Sequence, residues 1–447
     1  MIEKFFTLCK LGIKYLHRYR RRYGFLLTAL IFGFAVVTFI TSQKDGMYES
    51  VYFTAQSHYA GDIVAVSHNS HSFHSNHMGQ KEISAILDAA ENAEINPQHT
   101  VFRTLVQEDG IIHFNGFAVQ LKYLIGCDWE KESHLFGRMA FDGNPEPLTG
   151  DDGIVLSLPV ANQMGARMGD SIILELDTYW GQKNTGLFIV KGIVRDSSIF
   201  GYYKAYISRL SLNRLLLYDD NDCSSIGFFL EAPAAAEQKR QLLYNAMNTS
   251  VQNTSVQDTG VQIGPLAHGR SDMDLERSQP REGIRIYLYT LPVYLSEISD
   301  LLDAMNIITY FLYGMMLLII LVSAAVTYRL ILHERVREFG IMRALGFYGS
   351  DLRLILWTEV IALGFFSLIA GFILACILNW AVSLLTFSWF PSFEIFMKNG
   401  RLSALHLPET TLINVILIFF VLIAMALFPS FRASRKNLCG LLSGEPL

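Results

Sequence analysis

The run Val293–Gly340, "VYLSEISDLLDAMNIITYFLYGMMLLIILVSAAVTYRLILHERVREFG", holds no proline and changes character twice. It starts amphipathic, is apolar from about Ile307 to Leu332, and ends in charge. The apolar part exceeds the ~20 residues a helix needs to cross ~30 Å of hydrocarbon. A helix unbroken to His333 is ~60 Å long, about twice that thickness. The spacing therefore predicts a stalk, about three turns long, outside the membrane before the span begins. Leu295, Ile298, Leu302 and Met305 recur along it at three- and four-residue steps. Such a seam asks for a partner helix, either on the chain's own extracytoplasmic domain or on the same stalk of a second subunit.

Three further apolar runs have the length of spans: Gly24 to about Ile40, about Leu354 to Leu385, and about Leu412 to Phe428. The first is read as an anchor rather than a cleaved leader, because its apolar core is long and "TSQKDG" follows without a small-x-small site. Hydrophobic residues make up 51% of the 447. They cluster in these four runs and leave a polar middle between the first and second. That distribution predicts an α-helical membrane protein with four transmembrane helices and a large α+β extracytoplasmic domain of two lobes between helices 1 and 2.

Basic residues orient the chain. Lys14, Arg18, Arg20, Arg21 and Arg22 precede the first span, the charged stretch follows the second, and Arg432, Arg435 and Lys436 follow the fourth. An even number of spans puts all three clusters on one side, which the positive-inside rule makes the cytoplasm. The layout expected is a basic amphipathic segment at 1–23, the first span at 24–42, and the extracytoplasmic domain at 43–292. A stalk plus second span follows at 293–333, a cytoplasmic segment at 334–353, and the third span at 354–385. An outer loop at 386–410, the fourth span at 411–430 and a cytoplasmic tail at 431–447 complete it.

Within the polar middle, "GDIVAVS" alternates like a strand and "KEISAILDAAENA" carries apolar residues at helical spacing. "TVFRTLVQEDGIIHFNGFAVQLKYLIG" reads as three strands joined by turns at Asp109–Gly110 and Asn115–Gly116. "DDGIVLSLPVANQMGARMGDSIILELD" reads as strand, short helix, turn at Gly169–Asp170, strand. "NTSVQNTSVQDTGVQ", within 248–262, is a pentamer written three times, too short and polar to bury a core; it is expected to be a surface loop, or else a short β-ribbon. Of the five cysteines, Cys127 and Cys223 share the oxidising side and either pair or stand as separate buried thiols.

The charged stretch Leu332–Gly346, "LHERVREFGIMRALG", places Glu334, Arg335, Arg337 and Glu338 on one helical arc, with Val336, Phe339 and Gly340 opposite. One turn later Ile341 and Leu345 enter the polar arc. A free aqueous helix would not be apolar nearly all round, so lipid headgroups, neighbouring helices or another protein must cover it. Gly346 offers a stop, and "FYGSDLR" turns the chain into the third span.

Here the sequence resembles FtsX-like ABC transporter permeases, whose usual signature is E-R-x-x-E-I-G-I-x-R-A-L-G followed by a glutamate in the next span. Glu334, Arg335, Glu338, Gly340, Ile341, Arg343, Ala344, Leu345, Gly346 and Glu359 match it, and Phe339 replaces the common isoleucine. "LIGCDWEKE", Leu124–Glu132, is similar to the family's G-x-D-P-x-x-E element, with Trp129 in place of proline. The stretch ending in "MGARMGD" resembles L-G-x-x-x-G-D. The tail "NLCGLLSGE" lacks the family's proline before its final A-L-R.

The resemblance implies a non-catalytic membrane subunit that forms a homodimer or heterodimer with a second permease subunit and works with two copies of a separate ABC ATPase. Relatives include the lipoprotein-releasing LolC/LolE type and the MacB type. ATP and Mg²⁺ would be held by the partner, since no G-x-x-x-x-G-K-[ST] occurs in this chain. The segment Glu334–Gly346 would receive that ATPase, and the cargo would be a lipoprotein or another envelope substrate. Membrane lipid is a partner and nucleic acid is not.

Glu359 lies inside the third span, where an ionisable side chain is costly and takes a partner, either a neighbouring helix or an arginine such as Arg343. "HERVR" begins like a zinc-protease motif, but Arg337 stands where the second histidine is needed. His68, His71, His74 and His77 recur every three residues in "HNSHSFHSNH". That spacing suits Zn²⁺ or Cu²⁺, but a solvated polar loop is the simpler expectation.

Overall fold

The computed structural model describes residues 2–69, 74, 76–96, 100–195, 201–253, 261–269, 271–274, 283–387, 396–397 and 401–435. The chain divides into two units, one of Met1–Tyr48, Leu302–Thr386 and Leu402–Leu447, the other of Glu49–Leu301 and Phe387–Arg401. It opens with α1 (Ile2–Arg18) and the 40-residue α2 (Arg20–Tyr59). Thus α2 runs well past the expected end of the first span, and its last three turns belong to the second unit.

The second unit is built on one mixed sheet. Its strands are β1 (Ile63–Asn69), β2 (Thr100–Gln107), β3 (Ile111–Phe114), β4 (Phe117–Gln120), β5 (Tyr123–Cys127), β6 (Gly153–Ser157), β7 (Ser171–Asp177), β8 (Lys183–Val194), β9 (Lys204–Ser208), β10 (Ser225–Phe228), β11 (Val261–Ile263) and β12 (Ile284–Thr290). The helices are α3 (Gln80–Asn92), α4 (Ser133–Phe136), α5 (Leu158–Met164), α6 (Arg209–Leu216), α7 (Ala236–Asn253) and α8 (Leu291–Leu295). The twelve strands lie in the order β11-β12-β1-β10-β2-β5-β9-β6-β8-β7-β3-β4.

Strand β2 is the seam of this sheet. Thr100–Arg103 pairs with β10, and Thr104–Gln107 pairs with β5. Side chains alternate across the strands, as period-two geometry requires. Ile63 and Ala65 of β1 join a core under α3 and α7, while Val64 and Val66 pack on the opposite face with Tyr287 and Tyr289. The far half of the sheet has its own core, with α5 and α6. One continuous sheet with separate cores under its two halves thus stands where two lobes were expected.

Several local expectations change here. The stretch 100–127 holds four strands, because the run after Gly116 breaks at Leu121–Lys122. The β3–β4 hairpin turns through Asn115 (φ 48°) and Gly116 (φ 79°), the left-handed pair that a two-residue hairpin needs. The pentamer repeat is not one loop. Its first copy closes α7 and its last residues form β11 beside β12, while residues 254–260 lie outside the described residues. Cys127 and Cys223 are separate buried thiols. Burial, and then the neighbouring Glu132 carboxylate, hold the Cys127 thiol well above its ordinary pKa, and burial pushes Cys223 up to about 12.

The chain returns to the first unit with α9 (Ser299–Glu334), α10 (Val336–Ala344), α11 (Gly349–Ser383) and α12 (Pro408–Arg435). Among the described residues, α2, α9, α11 and α12 are the four helices long and apolar enough to cross a membrane. The unbroken stalk helix expected from Pro292 does not form. Ser296–Ile298 winds as a tighter 3₁₀ turn between α8 and α9. Leu295 precedes this turn, Ile298 ends it, and Leu302 and Met305 lie on α9. All four are half-buried.

Each spanning helix turns one stripe inward. Tyr23, Leu26, Leu30, Phe34 and Val37 of α2 meet Ile320, Ala324 and Tyr328 of α9 and Leu356, Val360 and Leu363 of α11 in one core. Phe32, Leu318, Phe365 and Phe420 point outward, as lipid-facing residues do. Gly371 allows a close approach of two helices, since a Cβ there would lie 2.9 Å from the Ile31 carbonyl oxygen. Amide side chains cross-link the bundle. Tyr313 Oη donates to Asn414 Oδ1 (3.1 Å), Asn414 Nδ2 to Thr41 Oγ1 (2.9 Å), and Asn379 Nδ2 to Ser42 Oγ (2.8 Å).

Candidate functional site

The charged stretch after the second span is broken where the helical wheel assumed continuity. Helix α9 ends at Glu334, and Arg335 takes φ −98°, ψ 4° before α10 begins. The break turns Arg335 out of the arc shared with Glu334 and Arg337 and into the bundle, where it is 1% exposed. Val336, Phe339, Gly340 and Met342 are buried behind it. Glu334, Arg337, Ile341, Ala344, Leu345 and Gly346 stay exposed, and Glu338 and Arg343 are half-buried. The residues of Glu334–Gly346 therefore split into an outward set and an inward set.

Gly346 ends α10 at φ 93°, a left-handed conformation that suits glycine. Its N–H donates to the Arg343 carbonyl (3.1 Å) and the Phe347 N–H to the Met342 carbonyl (3.1 Å), the paired bonds of a Schellman motif. Tyr348 then caps α11, its N–H donating to Asp351 Oδ2 (3.0 Å). The stop presents Ile341, Leu345 and Tyr348 together as large apolar side chains, the last two about three-quarters exposed at 74% and 73%.

Behind this surface lies a buried ion pair. Arg335 Nη1 donates to Glu359 Oε2 (2.8 Å) and Nη2 to Glu359 Oε1 (3.1 Å), a bidentate fork. Glu359 is fully buried on α11, and its partner is Arg335 rather than Arg343. Tyr23 Oη of α2 donates to Glu359 Oε2 (2.6 Å) and accepts from Arg335 Nη1 (2.8 Å). The guanidinium also lies 4.9 Å from the Tyr15 ring and 5.3 Å from the Tyr19 ring, and Tyr19 Oη donates to Glu338. One arginine thus ties the start of α10 to α1, α2 and α11.

The tyrosines were missed in the sequence. Tyr15, Tyr19 and Tyr23 stand four residues apart inside "KYLHRYRRRYG", which reads first as a basic lead-in. The available signal was that spacing, which puts all three on one helix face.

A second anchor lies within the other unit. Arg103 of β2 is 2% exposed, and its Nη1 donates to the carbonyls of Ser57 (2.9 Å) and His58 (2.8 Å) in the last turn of α2. These are carbonyls that a helix C-terminus leaves unpaired, and a cation suits that end of the helix dipole. Nε and Nη2 of Arg103 go to Glu132, which is fully buried. Glu132 is the final residue of the "GCDWEKE" element. Asp62 completes the joint, accepting from Tyr52 Oη (2.9 Å), Gln56 Nε2 (2.8 Å) and the Leu230 N–H (2.9 Å).

The histidines do not converge. His74 Nε2 lies 2.6 Å from the Asp177 carbonyl, His77 Nε2 lies 2.8 Å from Asp222 Oδ2, His68 sits on β1, and His71 is outside the described residues. Among the described residues no three His, Cys, Asp or Glu side chains are placed to hold one metal ion.

Residues 310–438 match the FtsX-like permease C-terminal family. No curated protein matches the chain significantly. Solved structures similar to it include the periplasmic region of MacB from Actinobacillus actinomycetemcomitans, at 14% identity over 45% of this chain and 97% of that one, with a TM-score of 0.28. A domain of a permease protein from Porphyromonas gingivalis is similar at 12% identity over 45% of this chain and 87% of that one, with a TM-score of 0.26.

Proposed function

We propose that this chain, an FtsX-like permease by its domain at residues 310–438, is the membrane subunit of an ABC transporter and passes motion from a separate ATPase to an extracytoplasmic domain. The observation that carries this reading is the two-sided α10 segment, with Ile341, Leu345 and Tyr348 outward and Arg335 locked to Glu359 inward. An exposed apolar cluster on a charged helix is a partner surface. The ion pair behind it makes that surface move with α2 and α11 rather than slide over them.

Helix α2 then carries the motion. Its start is held by Tyr23 in the ion-pair network, and its end by Arg103 and Asp62. Lys10, Lys14, Arg18, Arg20 and Arg21 are exposed on α1 and α2, and Arg337 on α10, which supports a cytoplasmic location for this end of the bundle. Lipoprotein release from the inner membrane is the cargo reading, with a second permease subunit completing the pore-side pair and ATP and Mg²⁺ held by the ATPase.

Aspartate at Ile341 and Leu345 tests the docking surface. Each residue loses burial worth about 1.5–3 kcal/mol, so ATPase affinity should fall about 10- to 100-fold in each single variant. ATPase activity stimulated by the permease in proteoliposomes is expected to drop accordingly, with membrane insertion unchanged. Gly346→Asp should act the same way through its left-handed backbone. Full stimulation in all three variants would remove the docking role. A lipoprotein-release assay on the same proteoliposomes then tests the cargo; retained ATPase stimulation with no release would contradict it.

A further inference from the structure

A cavity of about 70 Å³ opens in the second unit between the last turns of α2, the segment after α4, and β9. Its floor is polar and deeply buried. Lys204 is 2% exposed, with Nζ 3.2 Å from Tyr206 Oη. Ser57 is 5% exposed, and among the described residues its hydroxyl has no hydrogen-bond partner. A buried hydroxyl left unmatched costs free energy unless something fills the space beside it.

The walls and rim differ from the floor. Phe53, Met139 and Val194 supply apolar surface. The Arg138 guanidinium lies 3.9 Å over the Phe53 ring at the exposed side. Arg195 is also at the rim but is paired with Asp142 (3.0 Å), and Glu49 is the one carboxylate among the lining residues. Lys204, Ser57 and Tyr206 all line the cavity and bring hydrogen-bond donors to it, which suit anionic oxygens. An aromatic ring and aliphatic side chains stand above them, as in small-molecule sites with a few placed polar groups.

We infer that this cavity is a binding site for a small organic anion, a carboxylate carrying a short aliphatic stem. The carboxylate sits against Lys204, Ser57 and Tyr206, and the stem lies along Phe53 and Met139. The site is in the extracytoplasmic unit and uses none of the residues of the α10 segment, so it stands or falls apart from the ATPase reading.

The test uses the full chain in nanodiscs of zwitterionic lipid and isothermal titration with three probes. Butyrate is expected to bind saturably. Butylammonium, with the same stem and opposite charge, is expected not to bind, and inorganic phosphate, which has no stem, is expected to bind more weakly than butyrate. Ser57→Val removes the hydroxyl, and Ala140→Leu fills the space from the wall; each should weaken butyrate by about tenfold or more. Lys204→Met should abolish binding, but it also removes a buried cation, so the first two variants carry the test if it fails to fold. Absence of saturable butyrate binding, equal binding of butylammonium, or unchanged affinity in both Ser57→Val and Ala140→Leu would overturn the site. Phosphate binding as tight as butyrate would overturn its apolar half.

Discussion

Arg335→Met is expected to destabilise the membrane unit by about 3–5 kcal/mol, the usual cost of stranding one partner of a buried ion pair. The substitution leaves the Glu359 carboxyl fully buried, with the Tyr23 hydroxyl as its remaining hydrogen-bond partner among the described residues. It also removes the guanidinium from the faces of Tyr15 and Tyr19. Arg335→Lys should fail in the same direction, because an ammonium cannot make the bidentate fork. The double variant Arg335→Met/Glu359→Leu should recover most of the lost stability, since it strands no charge. Coupling should stay impaired in it, because α10 has lost its bond to α11. Thermal unfolding in lipid nanodiscs, read beside stimulated ATPase activity, separates the two effects. A single variant within about 1 kcal/mol of the parent would show that Arg335 is not paired as described.

The second large effect is at the other anchor. Arg103→Met strands the buried Glu132 carboxylate and removes the hydrogen bonds to the Ser57 and His58 carbonyls at the end of α2. A loss of about 3–5 kcal/mol in a domain of this size lowers the thermal midpoint by roughly 6–20 °C. Arg214→Gln, which breaks an exposed pair with Asp151, is the control and should shift it little. Scanning calorimetry of the full chain measures both. Equal shifts for the two variants would mean that Arg103 is not the fastening point of α2.

The four spans were legible because hydrocarbon selects on composition over twenty residues, and a sequence displays composition directly. The Asn115–Gly116 hairpin was legible for a similar reason, since two consecutive left-handed positions restrict the residues that fit. What escaped depends on partners far away in the chain. Arg335 reads as a surface charge because the sequence suggests a continuous helix, whereas Glu359 and Tyr23, 24 and 312 residues distant, draw it inward. Asp109–Gly110 looked like a hairpin joining β2 and β3. Asp109 instead accepts the Asp177 N–H (2.8 Å), β2 pairs with β5, and β3 pairs with β7. The absence of proline before the second span predicts one unbroken rod there. The 3₁₀ turn at Ser296–Ile298 interrupts it, whereas α2 runs unbroken from Arg20 to Tyr59 and has residues in both units.

The most direct measurement places a photo-crosslinking amino acid at Leu345 in the full chain, in native membranes, and identifies the adduct by mass spectrometry. The account predicts a single major adduct with a P-loop ATPase, lost when Ile341 is changed to aspartate, and none from Leu318 on the outward face of α9. Adducts confined to lipid, or an ATPase adduct from Leu318 as strong as that from Leu345, would contradict it.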